Sequence, residues 1–462
     1  MKERLLLFSF IATFLTCGEL WAQDTDPYTY PKTPNNDQLE NVFLKTSVLI
    51  NSDPATAVFV SGAAEHTRGM AVKDGKMYFS GRKNLSSPYV PQIYEVDGAT
   101  GDLLNTYDLP ADLYGSTIHP ANDIAIDNAG NMFISNLITT TQEFRISYID
   151  ITQSPIVWNT VLSITPTSTH RLETFSVFGD IKNGDGFIMI PVANTRKILK
   201  YDVTSGVVNT TPTEITINYT GTAASMAQQP RIHIVSDSRF YVDGGTWDPA
   251  LYNMNGEVVG SFQQNNAALA PTTIDNTTYK GRQNGVVEFK LNDKYYLLVA
   301  YTSQSADKPG QFALFEFKDS NKEFKDMTLL YRFPEAGMGT FSDGAFLYAT
   351  IPQVEIIKNE AGKNKARLYI YSWKNGYGIY DFLPYDFYSK TENTIENFNY
   401  SLNNRVITLS ENTSLLSVYN TSGQKIQEVS NANAIAVSTS GIFILKAALA
   451  NSETKTIKII VP

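Results

Sequence analysis

NDIAIDNAGNMFISN, residues 122–136, is the stretch on which the fold turns. A polar start, Asn122-Asp123, leads into the short apolar run Ile124-Ala125-Ile126. Asp127-Asn128-Ala129-Gly130 then carries the residue types of a chain reversal, and Met132-Phe133-Ile134 returns. Apolar runs of this length, flanked by Asp, Asn and Gly, read as strands joined in a hairpin.

The same grammar recurs, and the recurrence decides more than any single copy. Its other instances are RGMAVKDGKMYFSG from Arg68, TFSVFGDIKNGDGFIMIPV from Thr174, RIHIVSDSRFYVDGG from Arg231, NGVVEFKLNDKYYLLVAY from Asn284 and SDGAFLYATIP from Ser342. Successive starts lie about 52 to 58 residues apart. Asp74-Gly75 and Asp185-Gly186 supply residues that tolerate positive φ in tight turns. NGDG, residues 183–186, is read as part of such a turn rather than as a calcium loop. Most copies are followed by two more strand-like runs, as in residues 92–96 and 103–109. Four antiparallel strands per repeat make a propeller blade. The expected fold is therefore all-β, a six-bladed β-propeller over residues 40–390. The strand-like run NVFLKTSVLI, residues 41–50, is expected to close the ring by joining the last blade, because an open ring leaves sheet edges exposed; capping of the first blade is the alternative.

The second copy, read from residue 119 as HPANDIAIDNAGNMFISN, resembles blades of the NHL and related six-bladed propeller families through its ND and GN dipeptides. The whole central region also resembles secreted bacterial propellers of unknown function. These likenesses imply the fold and leave the activity open.

After Pro384 the aromatic pattern stops, and SKTENTIENFN, residues 389–399, reads as a linker. Residues 391–462 then alternate in short strands, a small C-terminal β-sandwich. SVYNTSGQKIQEV (417–429), STSGIFILKA (438–447) and TKTIKIIVP (454–462) resemble the C-terminal sorting domain of the type IX secretion system. That likeness implies passage through the outer membrane with the help of its secretion machinery. Two features depart from the family: the usual opening Pro-Asn-Pro is missing, as is a lysine-rich end.

The chain begins like a secretory leader, with Lys2 and Arg4 before an apolar run from Leu5 to Leu15 and Ala22 at the expected cleavage point. Residues 1–22 are assigned to it and 23–39 to an N-terminal linker, so the protein is expected to be secreted or displayed at the cell surface. Cys17 is the single cysteine. It is a rival lipidation site, and its loss with the leader would leave no thiol for disulfide, nucleophile or metal.

The formal charge of −9 disfavours a phosphate backbone, so nucleic acid is excluded as a partner. No run beyond the leader reaches the ~20 apolar residues of a membrane span. The 26 Tyr and 25 Phe are ascribed first to sheet packing. A monomer without cofactor is expected.

In a propeller the starts of the inner strands share one face with the loops between second and third strands. That face gathers Arg68, Asn122, Asp123, Glu173, Arg231, Asn284 and Asp343, a mixed-charge ring suited to a polar ligand such as a glycan. Pairing of those charges among themselves is the competing structural reading. Trp247 is placed in a second-to-third-strand loop, where an exposed indole would stack on a sugar beside Asp243 or Asp248, or else would anchor the loop. Arg82, Lys83 and Tyr89 are placed as a further wall. His66, His119, His170 and His233 all lie near inner-strand starts, yet metal-ligand spacing motifs are missing, so no metal is assigned. A binding protein is the leading expectation. Alternatives are a glycan-active enzyme using Glu173 with Asp343, whose separation a sequence does not give, and a protein-interaction scaffold.

Overall fold

The computed structural model describes residues 38–46, 67–83, 87–110, 113, 119–219, 224–244, 247–262, 273–274, 277–278, 285–301, 311–334, 337–338, 350–358, 362–383, 400–403, 405–420, 424–449 and 454–461. The leader with Cys17, and His66, Asn284 and Asp343, lie outside them. Apart from the short 3-10 turn Phe324–Asp326, the regular elements described are all strands, and no described helix is long and apolar enough to cross a membrane. The chain divides into two compact units, Met1–Phe387 and Tyr388–Pro462.

Among the described residues of the first unit, six antiparallel sheets of at least four strands follow one another along the chain. Their inner strands are Thr67–Lys73, Asp123–Ile126, Ser176–Gly179, Arg231–Ser236, Val286–Leu291 and Thr350–Lys358. In the first sheet, Thr67–Lys73 turns into Lys76–Arg82 through Asp74 and Gly75, at φ 53° and 72°, as its sequence requires. The third hairpin differs from expectation. Gly179 pairs with Gly186, so the turn spans residues 180–185 rather than the Asp185-Gly186 dipeptide. Asp180 N–H donates to the Asp185 carbonyl (3.0 Å), and the Asp180 carboxylate accepts from Asn183 N–H (3.0 Å). The side-chain acceptor stabilises a wider loop than two residues make.

Polar groups at the turns also tie the first sheet to the second and the second to the third. Asp127 Oδ1 holds its own turn through the Ala129 and Asn131 amides (3.0 and 2.8 Å), while Oδ2 accepts from Ile181 N–H of the third sheet (3.0 Å). Lys73 Nζ reaches the Gly130 carbonyl at 2.7 Å, joining the first sheet to the second.

Between these ties lie apolar layers. Separate clusters of buried side chains join sheets one and two, two and three, three and four, four and five, and five and six. A further cluster joins the sixth to the first, with Phe79 packed edge-on to Tyr371 at 5.2 Å. Each of the six sheets thus packs on both its neighbours, and each large side chain removed from water contributes about 1.5–3 kcal/mol.

The sixth sheet consists of Thr350–Lys358, Asn364–Ser372 and Gly376–Leu383, completed by Gln38–Thr46 from the N-terminal side. The closing strand thus starts before the run 41–50 read from sequence. Leu39 lies opposite Phe382, and a bulge falls between Asn41 and Phe43. Lys45 Nζ and Tyr377 Oη both donate to the Gly101 carbonyl of the first sheet, at 2.7 and 2.8 Å.

In the second unit, Tyr400–Asn403, Val406–Tyr419, Lys425–Ala436, Gly441–Leu449 and Thr454–Val461 form one hydrogen-bonded network. The long strand Val406–Tyr419 pairs with three neighbours, its register shifting between Thr408 and Thr413. Phe443, Leu445, Ala447 and Leu449 alternate inward into a core of this unit's own.

Candidate functional site

The inner strands of all six sheets face one cavity of about 400 Å³. Its walls alternate apolar residues such as Met70, Ile124 and Ile232 with a few polar groups, because every second residue of a strand points the same way. Asp123 and Arg231 meet there. Arg231 Nη1 and Nη2 each donate to Asp123 Oδ1 at 3.2 Å, and Phe175 N–H donates to Oδ2 at 3.3 Å. His233 lines the same cavity. Burial pushes its imidazole down to about 4 against a weaker upward pull from Glu288, so it is neutral at pH 7.

A second pocket, of about 390 Å³, opens where the inner strands begin. Arg68, His119, Leu137, Thr139, Thr140, Gln142 and Arg171 line it. Arg68, second residue of the first inner strand, lies over the Trp373 ring, its guanidinium carbon 4.5 Å from the centroid. Its Nη1 donates to His119 Nε2 at 3.2 Å. A guanidinium only donates, so Nε2 accepts and the imidazole carries its proton on Nδ1. Burial, reinforced by the charges of Arg68, Arg82 and Arg171, holds this histidine down at about 2. Arg171 is clamped by a two-pronged ion pair, Nε to Glu173 Oε1 (2.9 Å) and Nη2 to Oε2 (2.7 Å), which leaves Nη1 outside the pair.

The sequence-predicted residues therefore separate into groups. Arg68 and His119 line the mouth, and Asp123 and Arg231 form a tie in the cavity wall. Glu173 has no exposed surface and also accepts from Gln229 N–H, so both its oxygens are committed. Asn122 is buried as well, donating through Nδ2 to the Glu173 carbonyl. Arg82 lies over Tyr89 at 5.1 Å, and Lys83 pairs with Asp108 at 2.9 Å. His170 is half-buried and bonded to Ser168. Among the described residues no group of three His, Cys, Asp or Glu is arranged to hold a metal.

Trp247 requires a correction. Its side chain is 0 % exposed and stacks on Tyr219, ring centroids 4.3 Å apart and planes 10° from parallel. It starts the strand Trp247–Asn253 and faces the layer between the third and fourth sheets, so it offers no surface to a sugar. Asp243 beside it is equally buried.

Leu137, Thr139, Thr140, Gln142 and Arg171 were missed from sequence. The first four sit between Met132–Ser135 and Phe144–Asp150, a second-to-third-strand connection of the kind expected on this face. Leu137 is apolar and Thr139, Thr140 and Gln142 are uncharged, so no motif or charge pattern marks them. Arg171, two residues before Glu173, is the partner that an isolated buried carboxylate demands.

No family model matches the chain, and no curated protein matches it. Among solved structures it is similar to a DUF4623 family protein from Bacteroides eggerthii DSM 20697, with TM-score 0.56 and 16% identity, covering 78% of this chain and 77% of that one. A β-propeller domain from Myceliophteria thermophila matches at TM-score 0.34 and 8% identity, covering 75% and 93%. An α-L-arabinofuranosidase from Clostridium thermocellum ATCC 27405 matches at 0.34 and 13%, covering 59% and 94%. The first likeness is one of fold, and the two weaker ones carry no argument.

Proposed function

We propose that the protein is an exported six-bladed β-propeller that holds a polar ligand, a glycan, at the mouth where its inner strands begin. The observation that carries this reading is the pocket itself. Its volume suits a small saccharide, and Thr139, Thr140 and Gln142 offer hydroxyl and amide groups beside the fixed donors of Arg68 and Arg171. Holding a ligand is favoured over cleaving one by the state of Glu173. A carboxylate whose two oxygens are bonded and which has no exposed surface does not reach a glycosidic bond.

Glycan arrays followed by calorimetry, on the chain without residues 1–22, test the reading. Binding of a saccharide without product release supports it, and silent arrays overturn it.

Export rests on the leader, with cleavage after Ala22 and secretion or surface display as its outcome. Residues 391–462 act in this reading as a β-sandwich sorting module engaged by the outer-membrane machinery. Deleting them should trap the propeller inside the envelope, which cell fractionation would reveal. Mass spectrometry of the mature N-terminus separates simple cleavage from lipidation at Cys17.

A further inference from the structure

We propose that Arg231 is a two-position latch across the central channel, with Asp123 as its partner in one position and Asp243 in the other. The latch is independent of what the mouth pocket holds.

Topology makes the second position reachable. Arg231 and Asp243 lie directly opposite each other in the antiparallel register of the fourth sheet, whereas Asp123 belongs to the second. Opposite residues of such a pair point to one face, with Cβ atoms about 5 Å apart. The guanidinium passes over this neighbour and bonds Asp123 instead, through Nη1 and Nη2 at 3.2 Å. The side chain is thus a chord across the channel in front of the third inner strand, and Asp123, Thr174, Phe175 and Arg231 all line the cavity there. Rotation about the side-chain bonds of Arg231 brings the same fork to Asp243 with the backbone at rest.

Charge gives the two positions equal standing. Asp123 is 1 % exposed and Asp243 0 %, and one guanidinium serves both. Burial pushes both carboxyls up, and Arg231 pulls against it at each. Two buried carboxylates beside one cation would leave a negative charge uncancelled, which an interior does not tolerate. A single proton removes it, carried by whichever carboxyl lacks the guanidinium. When Arg231 moves from Asp123 to Asp243, the proton passes from Asp243 to Asp123. One ion pair and one O–H bond break, one of each forms, and the cluster is neutral in both states.

Unmet hydrogen bonds mark where the second position lies. Neither Asp243 oxygen has a partner among the described residues, and Arg231 Nε has none either. Buried polar atoms left so are rare in a folded chain. Carboxylate and guanidinium would satisfy one another there, while Asp123 keeps the Phe175 N–H on Oδ2. With Arg231 on Asp123 the cavity of about 400 Å³ is barred from the face where the inner strands begin, and with Arg231 on Asp243 the bar is withdrawn.

The experiment labels aspartate Cγ in the full-length protein and follows both carboxyls by nuclear magnetic resonance at about pH 7, well above the ordinary aspartate value. Asp123→Asn and Asp243→Asn assign the signals. In the wild type one carboxyl should be protonated and the other ionised. Asp123→Asn removes the first partner, so the Asp243 signal should shift from the protonated to the carboxylate position. A crystal structure of that variant should show an Arg231 Nη within hydrogen-bond distance of Asp243. In urea each single variant should move the unfolding midpoint little, because the guanidinium keeps one partner, and the double variant should lose more than the two together. The wild type supplies a readout that needs no substitution at Asp123. Relaxation dispersion on Arg231 Nε should show exchange with a second position populated at about 0.1–10 %, and Asp243→Asn should abolish it.

An Asp243 that stays protonated in Asp123→Asn overturns the proposal and makes it a fixed neutral acid. Two carboxylates in the wild type overturn it in favour of a bound cation. Additive losses in urea, or a wild-type Arg231 Nε without exchange, overturn it as well.

Discussion

Arg231 reaches past the third sheet to grip Asp123 of the second, both guanidinium Nη atoms lying 3.2 Å from the same carboxylate oxygen. The arginine is 14 % exposed and the aspartate 1 %. Burial pushes the Asp123 carboxyl up, while Arg231 and the Phe175 N–H pull the other way. Arg231→Met strips away the countercharge and should destabilise the protein by about 3–5 kcal/mol, whereas Asp123→Asn with Arg231→Met should recover most of that loss. Urea unfolding measures both. A loss below about 1 kcal/mol in the single variant would remove the pair from the stabilising ties.

Asp243 is a contrasting case. Neither carboxyl oxygen has a hydrogen-bond partner among the described residues, and burial pushes the group well above the usual carboxylate range. A folded-state value raised above the unfolded one means stability fully present below about pH 4 and lost as pH rises through the folded value. Asp243→Asn removes that dependence. Its melting temperature relative to wild type should climb between about pH 4 and pH 8, and a constant difference would refute the assignment.

Much of the fold was legible because its signals are local. Alternation and the Asp-Gly turn announce the hairpin at residues 67–82, and repetition multiplies the announcement. Closure by Gln38–Thr46 was legible for a global reason, since a ring with free edges is unstable. Burial was where the sequence misled. Trp247 follows Gly-Gly-Thr and precedes Asp-Pro, a context that reads as an exposed loop. The side chain instead stacks on Tyr219, 28 positions earlier, a pairing that no local pattern encodes. The mouth pocket was half legible. Arg68 carries charge and His119 is a titratable type, which a sequence displays, but Thr139, Thr140 and Gln142 matter only through their place beside them.

Trp247→Ala should therefore act on stability. Removing a fully buried indole and its stacking on Tyr219 costs about 3–5 kcal/mol, and Trp247→Phe, which keeps a ring, should cost clearly less. Thermal unfolding checks the order. Fluorescence quenching by acrylamide should leave this indole among the protected ones. A Trp247→Ala protein as stable as wild type would return the residue to the surface.

Ring closure has its own test at Gly101. Its φ is 71°, and an added Cβ would fall 2.6 Å from the Phe43 ring carried by the closing strand. Gly75 has nearly the same φ, 72°, but open space around it. Gly75→Ala should cost only the left-handed backbone term, about 1 kcal/mol. Gly101→Ala should cost about 1–3 kcal/mol more, and Phe43→Ala in the same chain should relieve part of that excess. Equal losses at the two glycines would mean that Phe43 does not seal the first sheet to the sixth.

His119 gives the last prediction and links the pocket to stability. Because Nε2 accepts from Arg68, ring nitrogen shifts should show a proton on Nδ1 alone, unchanged between about pH 8 and pH 5. Burial and the three arginine charges hold the folded-state value at about 2, below the ordinary 6.5. A lowered value means that the unfolded chain takes up the proton first. Stability from this group is present above about pH 6.5 and falls as pH drops toward the folded value, by about 1 kcal/mol per pH unit once the unfolded imidazole is protonated. His119→Gln offers an amide acceptor that does not titrate. Its unfolding free energy should lose this slope below about pH 6, and an imidazole that titrates near 6.5 in the folded protein would contradict both the tautomer and the slope.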